Sequence, residues 1–196
     1  MRVLMIRAVL AGLLVLPGLA PARDKLPEAP QPFGFVLGST TEAQARDLCL
    51  AEKADATARG FIDARPAPDA APAPLDNPRG VLVEVAGLPM PGLAGTRLGF
   101  FDDRLYAVVY RFSPEHDTRQ LLQQLLLKYG KPSEQVGLAR RYEWRFQGVT
   151  LALLDEVQGP DSMVFLHTDL HQALVASSQQ AWQQHLARSM EGQRGF

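Results

Sequence analysis

The chain has 196 residues, with 20 Lys and Arg against 21 Asp and Glu, a formal net charge of −1 and 46% hydrophobic residues. So even a balance supplies no electrostatic footprint for nucleic acid or an anionic membrane surface. Its single cysteine, Cys49, excludes an internal disulfide, so packing must hold the fold together.

The first elements belong to export. Arg2 and Arg7 precede an apolar run from Ala8 to Leu16, which Pro17 and Gly18 end before the small-residue triplet Ala20-Pro21-Ala22. That order predicts a secretory signal peptide over 1–22, cleaved after Ala22. The apolar run is too short to cross roughly 30 Å of hydrocarbon. Cys49 lies far from the cleavage position, so a lipid anchor is not expected and the protein reads as periplasmic or secreted. Removing residues 1–22 takes away Arg2 and Arg7 and no acidic residue, which moves the formal charge to −3.

Residues 23–32, charged and proline-rich, read as a flexible leader. The run "FGFVL" (33–37) looks strand-like. Ser39 with Glu42 matches a capping box and predicts a helix from about Thr40 to Lys53. Cys49 falls in its apolar part and reads as a buried small hydrophobe. Prolines recurring over 64–78 exclude a stable helix or central strand there, giving a Pro/Ala-rich insertion. Strands follow at Val81–Gly87, Arg97–Phe101 and Arg104–Phe112, with Asp102-Asp103 forming a tight hairpin between the last two. The loop Leu88–Thr96, with two prolines and two glycines, is expected to be irregular and exposed. In the third strand both faces are apolar, Leu105, Ala107 and Val109 against Tyr106, Val108, Tyr110 and Phe112, so it is expected at the centre of a sheet. Were one face open, Tyr106 and Tyr110 would form a patch for a partner.

The stretch "LLQQLLLKYGKP" places Leu121, Leu122, Leu125, Leu126 and Tyr129 on one stripe of a helix that Ser113-Pro114 can start. Gly130 suits the position after its end, Lys128 and Lys131 face its negative pole, and Pro132 forbids continuation. A phosphate loop needs a longer glycine-rich run opening a helix, whereas "KYGKP" closes one. Strands are then expected at Arg141–Phe146, Val149–Asp155 and Ser162–Thr168, with a two-residue turn at Gln147-Gly148. A last helix, about Ser178 to Met190, presents Trp182, Leu186 and Met190 as a narrow stripe. No internal repeat is evident.

These elements define an α+β fold: helices carried on one side of an antiparallel meander sheet, in a single domain over 33–176 with a C-terminal helix and tail over 177–196. The chemistry-bearing residues are sparse. His167 and His171 have H-x-x-x-H spacing, and His116 or Asp169 would have to converge on them to hold a metal; they read as surface histidines. Asp102 and Asp103 read as turn formers, not as an acid–base pair. Serines 113, 133, 162, 177 and 178 lack a nucleophile elbow. No catalytic residue, metal site or cofactor is therefore assigned, and the ligand-binding residues stay open.

"LGSTTEAQAR" opening a helix, "FFDDRLYAVVYRF", "LLLKYGKP" and "YEW" together resemble uncharacterised exported bacterial proteins. More loosely they are similar to small envelope domains of the BamE (SmpA/OmlA) and β-lactamase-inhibitor-protein kinds, in which helices pack on an antiparallel sheet. The resemblance implies an envelope setting over about Phe33 to Thr168 and carries no catalytic residues. The leading expectation is a non-catalytic, soluble periplasmic module that binds an envelope protein partner. The alternatives are a metal-dependent or hydrolytic enzyme using His116, His167, Asp169 or His171, and a secreted inhibitor inserting the loop Leu88–Thr96.

Overall fold

The computed structural model describes residues 26–63, 76–136, 140–155 and 160–193. The expected signal peptide and most of the insertion expected at 64–78 lie outside the described residues. The elements run α1 (Glu42–Ala51), β1 (Asp55–Asp63), β2 (Asp76–Ala86), β3 (Leu93–Phe101), β4 (Arg104–Phe112), α2 (Thr118–Tyr129), β5 (Glu134–Val136), β6 (Arg140–Arg145), β7 (Val149–Asp155), β8 (Ser162–His167) and α3 (Thr168–Gln193). All eight strands form one antiparallel sheet in the order β1-β2-β3-β4-β8-β7-β6-β5. The fold is α+β, as expected. Each half is a helix followed by a four-strand meander, and the final strands of the halves, β4 and β8, join at the centre. This duplicated plan leaves no repeat visible in the sequence, because hydrophobic patterning can be met by many unrelated residues.

Alternation along the strands sorts the sheet into two faces. Val83, Leu98, Val108, Tyr110, Leu151, Met163 and Phe165 point to the face covered by α1 and α2, where Ala45, Cys49 and Leu125 complete the main core. The opposite face holds Phe101, Tyr106 and Ala107 under Leu174 of α3. The third helix thus packs on the other side of the sheet, so the helices are not all on one side. It also starts at Thr168, ten residues before the expected position, directly from β8. Asn77 is the polar bolt that holds it: its side-chain amide donates to Ser178 (3.0 Å) and Ser177 (3.4 Å), while its carbonyl oxygen accepts from the Arg79 backbone (3.1 Å).

A bulge revises the faces of β4. The register steps from Gly99↔Ala107 to Phe100↔Leu105, so Tyr106 is the extra residue. Leu105 consequently joins Val108, Tyr110 and Phe112 in the main core, and Tyr106 joins Ala107 on the α3 side. Tyr106 lies over Gly99, where a Cβ would come within 2.6 Å of the ring. Tyr106 and Tyr110 therefore sit on opposite faces and cannot form one patch.

Local chemistry moved several boundaries. "FGFVL" is a 3-10 turn at Pro32–Gly34 followed by further turns, because Phe33 (φ 50) and Gly34 (φ 76) are left-handed and break any strand. The N-cap of α1 is Thr41, whose box partner is Gln44, so the Ser39–Glu42 box does not form. Thr40, at 6% exposure, is instead drawn inward, its hydroxyl accepting from Val36 N–H (2.9 Å) and its carbonyl from Leu105 N–H (2.8 Å). The start of α2 is Asp117, which caps Arg119 N–H (3.0 Å), rather than Ser113-Pro114. Asp102 (φ 49) and Asp103 (φ 57) make the expected tight hairpin, both residues left-handed as a type I′ turn requires. β1 and the three-residue β5 were not anticipated, and Asp76, Asn77 and Pro78, placed in the insertion, begin β2.

Candidate functional site

The stripe on α2 does not seat fully. Of the five predicted residues only Leu125 is buried, Leu121, Leu122 and Tyr129 are half-buried, and Leu126 is 38% exposed. The helix stands off the sheet over a cleft of about 380 Å³. Its floor is Tyr110 of β4 with Met163 and Phe165 of β8, one wall is the Leu121–Tyr129 side of α2, and Met90 enters from the β2–β3 loop. The opposite wall is Pro30–Pro32, from the leader expected to be flexible, together with Phe33. Residues 26–32 instead lie along the body, where the carbonyls of Leu26 and Pro27 accept from the Gln147 side chain (2.8 Å) and backbone (3.0 Å).

Phe33 pays a conformational cost to reach this position, since a bulky residue in the left-handed region costs about 1–3 kcal/mol. Its ring stands edge-on to Tyr110 with centroids 6.1 Å apart, and Phe165 flanks Tyr110 from another side at 6.0 Å. Tyr110 is fully buried, yet its hydroxyl has no hydrogen-bond partner among the described residues. Thr96, its cross-strand neighbour on β3, also carries a buried hydroxyl without a partner. Burial pushes the Tyr110 phenol well above its ordinary range, and the Cys49 thiol adds to the rise. The hydroxyl is sealed within the core and offers no surface to the cleft. Lys128, its ammonium 5.1 Å above the Tyr129 ring, is the one charged side chain lining the cleft among the described residues.

The residues singled out from sequence lie elsewhere or serve the fold. Gly130 ends α2 at φ 75, ψ −161, its N–H donating to Leu126 (2.9 Å) and its carbonyl accepting from the Trp144 indole (2.8 Å), so "KYGKP" is a helix stop. Asp103 accepts from the Glu42 backbone (3.1 Å), capping α1 from another element. Asp102 pairs with Arg79, whose hydrogen bond lowers its carboxyl pKa. Cys49 is fully buried and free, and desolvation raises its thiol pKa despite nearby Arg46.

The histidines stay apart. His116 stacks on Phe112 (4.7 Å) beneath Gly92, where any Cβ would strike the ring, and its Nε2 is buried without a partner among the described residues. His167 packs against Gly38 at the far end of the main-core face, its Nδ1 accepting from Leu170 N–H (3.4 Å). His171 stacks on Tyr106 on the other face (6.2 Å). Asp169 is exposed in the first turn of α3. Among the described residues no group of three or more His, Cys, Asp or Glu is placed to hold a metal. The loop expected at Leu88–Thr96 is shorter and more anchored: Leu88 is in the core, Met90 lines the cleft, and β3 begins at Leu93.

Sequence reasoning named Tyr110 as core, or as a patch with Tyr106 were one face open, and missed Phe33, Met90, Met163 and Phe165 as cleft residues. Alternation marks a residue as inward-facing but carries no information on whether the helix above it closes the gap. No protein-family model matches the chain, and no curated protein or solved structure matches it either. Among the described residues no helix is long and apolar enough to cross a membrane.

Proposed function

We propose that this chain is an exported, non-catalytic binding module of the bacterial envelope, and that the cleft between α2, the 30–33 segment and the sheet is its recognition site. The export signal read over 1–22 supports the setting. The observation that carries the binding reading is the cleft itself: a hollow of about 380 Å³, lined mainly by apolar side chains, left open between α2 and the sheet. A core without binding duty gains by closing such a gap, because unfilled volume forfeits dispersion contacts. Gln124 is exposed on α2 yet lines the cleft, so Gln124→Trp should fill the hollow without disturbing the core.

The test exposes the chain, processed after Ala22, to envelope extract and weighs it by native mass spectrometry. The expected result is a small-molecule adduct on the unmodified chain that is absent from Gln124→Trp and from Met90→Trp. Equal adducts on all three proteins, or none on any, would overturn the assignment of the cleft.

A further inference from the structure

Resting on that reading of the cleft, we infer that its ligand is a small amphipathic carboxylate: an apolar body with the acid group at the mouth. About 380 Å³ lies at the small end of ligand pockets, roughly 300–1,000 Å³, and suits one small molecule. The rings of Phe33, Tyr110 and Phe165 supply a rigid apolar lining, and Met90 and Met163 supply adaptable thioethers, so the body must be apolar. The polar side chains among its lining residues, Gln31, Gln124 and Lys128, all carry donors. An ammonium offers no acceptor, so a ligand matching this lining brings acceptors and a negative charge. Lys128 sits in the last turn of α2, where the helix dipole disfavours an anion. Its charge offsets that dipole for an acid at the mouth, and a cationic amphiphile is repelled by it.

The experiment is isothermal titration calorimetry of the processed full-length chain with decanoate, decanol and decyltrimethylammonium, each below its micelle-forming concentration. The expected order is decanoate tightest, then decanol, with the ammonium amphiphile not binding. Lys128→Gln should weaken decanoate by roughly 2- to 5-fold and leave decanol unchanged. Gln124→Trp should abolish binding of every probe. Binding of the ammonium probe as tightly as decanoate, a decanoate affinity unmoved by Lys128→Gln, or no binding of any probe would overturn this ligand class. If Gln124→Trp still blocks whatever binds, the cleft reading survives that failure; binding that ignores Gln124→Trp overturns the cleft itself.

Discussion

Replacing Gly130 by alanine separates backbone conformation from packing at the end of α2. At φ 75 and ψ −161 this residue lies in a region that is essentially glycine's alone, which is more demanding than the left-handed helical position read from sequence. A Cβ added there meets nothing within 4 Å, so no clash with a neighbour contributes. The cost is the strain itself, about 1–3 kcal/mol, only partly offset by the roughly 0.4–1 kcal/mol that alanine gains by restricting the unfolded chain. The backbone cannot escape by rotating without moving the Gly130 carbonyl, which holds the indole N–H of the buried Trp144. Losing that bond leaves a buried donor unsatisfied, at a similar cost of about 1–3 kcal/mol. Either route predicts a loss of about 1–2 kcal/mol. Urea denaturation should therefore show a lower midpoint at unchanged slope, with Tm falling by roughly 2–8 °C. Gly130→Asn should cost as much as alanine, since asparagine tolerates the left-handed helical region but not this one. Gly60 is the control: it has ordinary φ and open space, so Gly60→Ala should be neutral or slightly stabilising. A Gly130→Ala protein as stable as the unmodified chain, or one rescued by asparagine, would refute this account of the helix stop.

Three further outcomes are expected. Burial pushes Tyr106 up to about 12 from an ordinary 10, and Tyr110 higher still; both favour the neutral form in the folded state, so their contribution is intact below about pH 10 and is lost as pH rises toward the folded values. Alkaline titration followed by tyrosinate absorbance should show both rings ionising only with unfolding, and Tyr106→Phe should flatten the fall in stability by about 1.4 kcal/mol per pH unit above pH 10; ionisation of all tyrosines near pH 10 in folded protein would contradict the burial. Asn77→Ala should destabilise the chain by about 1–3 kcal/mol and raise hydrogen exchange in α3 selectively, because it removes the amide that joins β2 to Ser177 and Ser178; uniform exchange changes would argue against that bolt. Cys49 should resist thiol reagents in native buffer and react on denaturation, since its thiol is buried and its pKa raised; rapid labelling of folded protein would place it elsewhere.

Legibility differed from element to element for physical reasons. β4 and β7 were read to the residue because their apolar composition and turn-forming neighbours agree with their final environment. The stop of α2 was equally plain, since Gly130 and Pro132 act through local backbone sterics. β1 went unseen: "DATARGFID" is an edge strand whose pairing with β2 comes from tertiary contact more than from its own weak pattern. The bulge at Tyr106 was hidden because one inserted residue reverses every later face without changing composition. The cleft was the least visible feature, for its parts come from the 30–33 segment, the β2–β3 loop, α2 and two strands far apart in the chain.

The sequence by itself determined the class of fold, the antiparallel hairpins, the helix stop and the burial of Cys49, because these follow from side-chain size, polarity and backbone freedom over a few neighbouring residues. Only the tertiary structure decided that β4 and β8 join two four-strand halves, that α3 crosses to the opposite face, and that α2 stands clear of Tyr110. Those outcomes depend on how separate elements share one packed volume, and a gap between elements is a property of no single segment.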